Sequence, residues 1–168
     1  YKQAEGRLRN ARDQFEAISD NHSVIKCLAN LGSVAQSRGK YDRAREQLRQ
    51  AREQFKAIGD HHNATECLLS LGEIAREDDE YERAEKQWRQ AREHFEAIGD
   101  DHSATRCLAN LALVAQGRGE DEQAEERWRQ AREQFEAIGD TEGVARSTVG
   151  LGRVLFEQEN YDAAEQHY

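Results

Sequence analysis

The sequence predicts an all-α fold: a solenoid of antiparallel helix pairs, built from about four forty-residue units and starting on the second helix of a pair. The phrase FEAIGD or a close variant recurs at this period, at residues 15–20, 55–60, 95–100 and 135–140. Residues 41–80 and 81–120 are identical at 22 of 40 positions. Each period also holds two segments with helical spacing of apolar residues. Such self-similarity is typical of a solenoid, whose units bury their apolar faces against their neighbours.

The first helix of a unit is predicted from the segment at residues 23–39. Its apolar residues recur at spacings of three, three and one, which places them on one face of a helix: Leu28, Leu31, Val34 and Ala35. Gly39 and Gly119 occupy the same register and are predicted to end this helix in the left-handed conformation that glycine adopts easily.

The second helix of a unit is predicted over residues 41–58. One apolar stripe runs along its whole length at spacings of four, three, four and three: Ala44, Leu48, Ala51, Phe55 and Ile58. In the repeated phrase, Phe and Ile are the last two residues of this stripe. The glycine then ends the helix, and the aspartate is a good N-cap for the next one. We therefore expect the phrase to mark a helix end, a turn and a helix start.

The whole chain, 1–168, is predicted to be a single array. Its expected parts are the second helix of a truncated unit at 1–19, full helix pairs at 23–58, 62–98 and 102–138, and a truncated last unit at 141–168. The segment YDAAEQHY (161–168) is expected to begin another second helix. Helix 2–18 would then lack the first helix of its own unit, and helix 142–158 would lack most of its second helix. A neighbouring molecule's helix 2–18 could cover helix 142–158, head to tail.

Composition excludes several classes of function. The formal net charge of −9 argues against nucleic-acid binding, which needs a clustered basic surface. No apolar run reaches the ~18 residues of a membrane span, and the start of the chain has no signal-peptide pattern. A cytoplasmic location is therefore expected.

No arrangement of residues points to catalysis, a metal or a cofactor. Cys27, Cys67 and Cys107 occur once per period, which suits neither a disulfide framework nor a zinc site and indicates small buried thiols. His22, His62 and His102 recur at the start of each first helix, and copying of the repeat explains their spacing. A metal-dependent site on this histidine edge, or one using Asp60, His61 and His62, is the less favoured interpretation.

The register resembles the tetratricopeptide repeat, whose helix pairs form a right-handed superhelix. The family pattern is a large residue, Leu-Gly, an aromatic residue near the turn and two alanines. The matching positions are Leu28, Leu31, Gly32, Tyr41, Ala44 and Ala51, then Leu68, Leu71, Gly72, Tyr81, Ala84 and Ala91, then Leu108, Leu111, Ala112, Asp121, Ala124 and Ala131, and finally Thr148, Leu151, Gly152, Tyr161 and Ala164. The usual closing proline is missing and the second helix is longer. The repeat is thus similar to the forty-residue subclass of Leu-Gly-Asn-repeat spindle adaptors and of NOD-like (STAND) signalling ATPases of bacteria and fungi.

Small and large residues of the pattern have distinct mechanical roles. Gly32, Gly72 and Ala112 are expected where the two helices of a unit cross, because a larger side chain there would hold the helices apart. Trp88 and Trp128 share the register of Leu48 and are interpreted as packing anchors.

The resemblance implies a peptide-binding groove lined by the first helices. The positions it implies are Lys26, Asn30, Ser33, Glu66, Ser70, Glu73, Arg76, Arg106, Asn110, Leu113, Arg146 and Arg153. Asn30 and Asn110 resemble the asparagine that related arrays use to hold a peptide backbone. These positions vary between units, whereas the alanine and FEAIGD positions hardly change.

The favoured function is a non-enzymatic scaffold that binds a protein or peptide and forms part of a larger signalling or adaptor protein. The alternative is a structural module that associates with its own copies, head to tail, through its unfinished ends. The third and weakest interpretation is a metal-dependent enzyme that uses the histidine edge.

Overall fold

The computed structural model describes residues 1–165, and the side chains of residues 1–159. Residues 1–165 form eight α-helices and no strand. The helices are α1 (Lys2–Ala17), α2 (Asn21–Ser37), α3 (Tyr41–Ala57), α4 (His61–Glu77), α5 (Tyr81–Ala97), α6 (Asp101–Gly117), α7 (Asp121–Ile138) and α8 (Thr141–Glu165). The chain divides into two compact units, one over Tyr1–Asp79 and the other from Glu80 onward. The predicted all-α fold of stacked helix pairs is confirmed.

The helix boundaries agree with the predicted role of the FEAIGD motif. An aspartate caps each first helix, and its Oδ1 accepts the backbone amide three residues later at 3.0 Å: Asp20 from Ser23, Asp60 from Asn63, Asp100 from Ser103 and Asp140 from Gly143. The residue before each cap has a positive φ, which glycine adopts at no steric cost. The predicted left-handed stops at Gly39 and Gly119 are also confirmed, with φ of 67° and 71°.

The core of the first unit lies around α3. The stripe Ala44, Leu48, Ala51 and Phe55 is buried, as predicted, in a cluster with residues of α2 and α4. At Gly32, a Cβ would lie 2.8 Å from Leu48 Cγ, so only glycine allows α2 to approach α3 this closely. The expected helix crossing at Gly32 is therefore confirmed.

The core of the second unit lies around α7 and includes Trp128, Phe135 and Val154. Ala112 and Ala124 are fully buried in the same cluster. Trp88 and Trp128 are both buried, so the interpretation of the two tryptophans as packing anchors is confirmed. Cys27, Cys67 and Cys107 are free and buried, again as predicted.

The isoleucine of the repeated phrase does not belong to the buried stripe. Ile58 is 48 % exposed and Ile98 51 % exposed, so their predicted place as the last core residues is wrong. Both are C-cap residues that follow the end of the helix, and Ile138, at the same register but within α7, is also exposed. Ile58 instead lies beside Val24 and Ile25 in a shallow surface pocket.

The last helix is longer than predicted. A new helix was expected from Tyr161, but α8 continues without a turn through Glu165. In the earlier repeats, the turn between the first and the second helix contains a residue with positive φ, namely Gly39, Asp79 or Gly119. Glu159 holds that register here, and glutamate favours the helix. The rest of the expected segment, residues 166–168, lies outside the described part of the chain.

Ion pairs between residues 33 apart link second helices to the ends of the following first helices. Glu5 accepts from Arg38 at 2.5 Å, and Glu85 accepts from Arg118 at 2.6 Å. In the intervening repeat the charges are exchanged: the second helix carries the arginine, Arg45, which donates to Asp78 at the end of the following first helix. The reversal of sign preserves the attraction between the two positions. Among residues 1–165, no helix is long and apolar enough to cross a membrane.

Candidate functional site

The first unit contains an open cavity of about 270 Å³ between α2 and α4. Five of the predicted groove residues come together there: Lys26, Asn30, Ser33, Glu66 and Ser70. The remaining lining residues are Ala29, Leu48, Phe55, Asn63 and Cys67. Polar side chains thus surround an apolar floor to which the second helix α3 contributes.

Several polar groups of this cavity are open to a ligand. The side chains of Asn30 and Ser70 make no hydrogen bond to any described residue. Ser33 donates only a long bond of 3.4 Å to the Ala29 carbonyl of its own helix. An asparagine amide offers both donors and an acceptor, which are the groups needed to pair with a peptide backbone.

Two further predicted residues lie beyond the cavity on α4. Glu73 accepts a hydrogen bond from the Gln36 amide of α2 at 2.9 Å, so this pair ties the two first helices together. Arg76 pairs with its neighbour Glu77. Neither residue lines the cavity.

The predicted residues of the second unit lie on α6 and α8. Arg106 and Asn110 are half-buried, whereas Arg146 and Arg153 are exposed. Arg146 approaches Glu142 at 3.4 Å, and Arg153 makes no ion pair with a described residue. Leu113 is half-buried and packs against the hydrophobic core of the second compact unit, as Val144 and Leu151 do.

The floor of the cavity is the part that sequence reasoning missed. Leu48 and Phe55 were expected only as core residues of a helix pair, yet they also face the space between α2 and α4. The repeat pattern could have predicted this floor, because in a stacked array each second helix lies between two successive first helices. Asn63 also lines the cavity, and the equivalent residues of two other repeats are Ser23 and Ser103.

The cavity thiol is not a nucleophile. Burial, together with the nearby Glu66 carboxylate, raises the pKa of the Cys67 thiol to about 12. A thiol with such a pKa stays protonated near neutral pH, and the thiolate is the reactive form.

The histidine edge ties successive first helices together. His22 Nε2 lies 2.8 Å from Oδ2 of Asp60, and His102 Nε2 lies 3.1 Å from Oδ2 of Asp140. Each histidine of these pairs therefore contacts the carboxylate that caps the next first helix. The described residues contain no group of three or more His, Cys, Asp and Glu side chains placed to hold a metal ion.

The stability contributed by Asp60 is expected to depend on pH. Burial of the carboxyl opposes ionisation, but hydrogen bonds from the Asn63 side chain and amide and from His22 outweigh it and lower the pKa of Asp60 to about 2. The folded state then binds fewer protons than the unfolded state between about pH 4 and pH 2. The contribution of Asp60 is therefore complete above about pH 4 and is lost as the pH falls toward 2.

Urea unfolding of Asp60→Asn checks this expectation. The difference in unfolding free energy from the wild-type chain should be large at pH 7 and should shrink below pH 4. Asp13→Asn, at a mostly exposed side chain, provides the control and should show a small difference at every pH. A difference for Asp60→Asn that stays constant from pH 7 to pH 2 contradicts the expectation.

Comparison with known families gives a match along essentially the whole chain. The model of the tetratricopeptide repeat matches residues 1–57, 25–97, 64–127 and 104–168. No curated protein matches the chain with significant sequence similarity.

Solved structures share the fold at low sequence identity. An aspartyl phosphate phosphatase F from Bacillus subtilis is 16% identical, with a TM-score of 0.78 over 95% of this chain and 46% of its own. The Rap conjugation gene regulator of the plasmid pLS20, in complex with the Phr* peptide, is 15% identical, with a TM-score of 0.77 over 89% of this chain and 42% of its own.

A third similar structure is a STAND signal-transduction ATPase with a tetratricopeptide repeat sensor from Pyrococcus horikoshii. It is 18% identical, with a TM-score of 0.74 over 98% of this chain and 26% of its own. The chain therefore spans less than half the length of these three proteins.

Proposed function

Since the chain belongs to the tetratricopeptide-repeat family, we propose that it is a non-enzymatic scaffold that binds proteins or peptides through the exposed faces of its first helices. The observation that carries the proposal is the cavity of the first unit, where five groove residues implied by the family meet. Structures with this fold include a regulator in complex with a peptide, which supports the same class of function.

The cavity is open to solvent, and its volume of about 270 Å³ lies near the lower end of the ~300–1,000 Å³ of most small-molecule sites. An open cavity of this size suits the side chain of a bound peptide. An apolar side chain would enter the cavity above Leu48 and Phe55, while the peptide backbone crosses the rim. Asn30 and Ser70 would then hydrogen-bond the backbone amides.

Charge distinguishes the two units as binding surfaces. The cavity of the first unit is mixed, with Lys26 opposite Glu66. The α6 and α8 positions of the second unit carry three arginines: Arg106, Arg146 and Arg153. We propose that the segment bound by the second unit is acidic, because complementary charge speeds association and excludes partners of the same sign.

We further propose that the array is part of a larger signalling or adaptor protein of the forty-residue subclass. The strict forty-residue period and the second helices of 17 to 18 residues support this assignment. The similar STAND ATPase, in which a repeat array serves as a sensor, supports the signalling role.

The proposal is tested by selecting binders from a displayed library of random linear dodecapeptides. Selected peptides should bind Asn30→Ala about two- to tenfold more weakly than the wild-type chain, because one hydrogen bond contributes ~0.5–1.5 kcal/mol. Glu66→Lys and Arg106→Glu should change which peptides are selected. Fluorescence anisotropy measures the affinities, and circular dichroism verifies that helicity is retained.

Matched substitutions at residues that do not line the cavity are the controls. Asn10→Ala on α1, Glu53→Lys on α3 and Arg92→Glu on α5 are exposed or half-buried changes of the same chemistry. They should leave the affinity unchanged. If the controls weaken binding while the first-helix variants do not, or if the library yields no binder, the proposal is wrong.

A further inference from the structure

Each compact unit contains a surface pocket beside the isoleucine at the end of a second helix. In the first unit the pocket lies between the start of α2 and the end of α3, beside Ile58. In the second unit a pocket of about 260 Å³ lies between the start of α6 and the end of α7, beside Ile138. Every residue that lines the first pocket has an equivalent 80 positions later that lines the second. The pocket is therefore a recurring feature of the repeat.

The two pockets differ in charge. The lining of the first pocket is uncharged, with Asn21 and Ile25 at the positions where the second pocket has Asp101 and Thr105. The second pocket is also lined by Glu96 at the end of α5, which has no counterpart in the lining of the first. Of these two pockets, the second alone therefore combines carboxylates with an apolar surface.

The apolar surface of the second pocket is contributed by both α6 and α7. Ala104, Ala137 and Ile138 line it, and Ile138 is 39 % exposed although it lies within α7. The buried Thr105 hydroxyl of α6 lies 3.2 Å from Oε1 of Gln134 on α7. This contact joins the two helices at the pocket, and a large apolar side chain remains open to solvent there.

The two chain segments that form the second pocket carry an excess of negative charge. Residues 93–104 and 133–144 hold eight acidic residues and no lysine or arginine. Arg92, Arg132 and Arg146 each pair with one of these carboxylates, which leaves an excess of five negative charges. The charge of this edge therefore favours a basic partner.

Both carboxylates of the second pocket can accept a further cation. Asp101 makes no ion pair with a described residue. Glu96 accepts from Arg92 Nε at 2.6 Å, but its side chain stays 49 % exposed. An ionised carboxylate offers about four lone-pair sites, so one arginine does not satisfy Glu96.

We propose that the second pocket receives a lysine or arginine side chain of a partner protein, which makes this edge of the second unit a docking surface for a basic segment. The aliphatic stem of the basic side chain packs on Ala104, Ala137 and Ile138. Its charged head group reaches the carboxylates of Glu96 and Asp101. A purely aliphatic side chain would fill the pocket but would leave these carboxylates without a cation.

This docking surface is independent of the first-helix groove. None of the residues that line the second pocket is among the groove positions implied by the family resemblance. Loss of binding at one surface can therefore be distinguished from loss of binding at the other.

Amide NMR with two synthetic nonapeptides tests the proposal. One peptide carries a central lysine between two leucines, with glycine and serine elsewhere and both ends blocked. Its twin carries acetyl-lysine, which keeps the aliphatic stem and removes the charge. The lysine peptide should shift the amides of Thr105, Ala137 and Ile138 to saturation. It should bind about two- to thirtyfold more tightly than its twin, because it makes two exposed ion pairs that the twin lacks.

Two double variants of equal charge separate the pocket from the acidic surface around it. Glu96→Gln with Asp101→Asn removes both carboxylates that line the pocket, and should weaken binding of the lysine peptide by about two- to thirtyfold. Glu93→Gln with Glu133→Gln removes the same charge from exposed residues of the same two segments that do not line the pocket. This control should weaken binding by less than about twofold, because solvent and salt screen the more distant charges.

A third pair of variants tests the shape of the pocket. Ala137→Phe fills the second pocket without a change of charge and should abolish the shifts, whereas Ala57→Phe makes the same change in the first pocket and should leave them intact. Both alanines are exposed, so both variants should keep the wild-type helicity. Equal affinity for the two peptides, equal losses in the two double variants, or unchanged binding to Ala137→Phe would each overturn the proposal. Shifts of the same amides when the chain is concentrated without peptide would assign the pocket to a second copy and would also overturn it.

Discussion

Replacing Phe135 with alanine is expected to lower the unfolding free energy by ~3–5 kcal/mol, the usual cost of removing a buried phenylalanine ring. The ring is 0% exposed and packs in the core of the second unit with Trp128 and Val154. It also fills the space beside Gly143, where a Cβ would lie 2.4 Å from the ring. The cavity left by the substitution therefore opens between α7 and α8, and neither helix can close it without moving.

Urea unfolding at micromolar concentration measures this loss, and Phe156→Ala serves as the matched control. Phe156 is 66 % exposed on α8, so the same substitution there should change the unfolding free energy by less than about 1 kcal/mol. Similar losses for the two variants, or a loss below about 1 kcal/mol for Phe135→Ala, would show that the wrong face of α7 has been assigned to the core.

Two glycines of α8 are expected to respond in opposite directions to alanine. A Cβ at Gly150 would lie 2.4 Å from Cε2 of the buried Trp128 ring, so either the helix or the indole must shift. Overpacking of this kind costs ~1–3 kcal/mol. At Gly152 a Cβ would meet nothing within 4 Å, and the gain in helix propensity should stabilise the fold by ~0.5–1 kcal/mol.

The same unfolding experiment compares Gly150→Ala and Gly152→Ala. Intrinsic helix propensity is equal for the two substitutions, so the difference between them isolates the packing of α8 on Trp128. If both variants are stabilised to the same extent, α8 does not pack closely on α7.

Much of the fold was predictable from periodicity. The stripe Ala44, Leu48, Ala51 and Phe55 is buried as its spacing predicts, because helical geometry places these residues on one face. Ile58 was assigned wrongly because the spacing continues past the residue at which the helix ends. The extension of α8 was missed because only the aromatic register of Tyr161 was considered, not the glutamate that replaces the turn residue at position 159.

The candidate site was predictable in its rim but not in its floor. Lys26, Asn30 and Glu66 line one cavity because equivalent positions of stacked helices lie side by side. Leu113 was placed among the groove residues by register, and its half-buried apolar side chain also packs against the hydrophobic core of the second compact unit. Register identifies neighbouring positions, whereas the chemistry of each side chain decides whether it faces the solvent or the core.

Recognition of a peptide by first helices is the central claim, and amide NMR mapping tests it most directly. A selected dodecapeptide would be titrated into the isotope-labelled chain, and the shift of each backbone amide followed. The largest shifts are expected on α2 and α4 around Asn30 and Ser70 and at Leu48 and Phe55 of α3, which form the floor of the cavity. Smaller changes are expected along the outer face of α3. Shifts confined to the outer faces of second helices, with α2 and α4 unchanged at saturation, would contradict the claim.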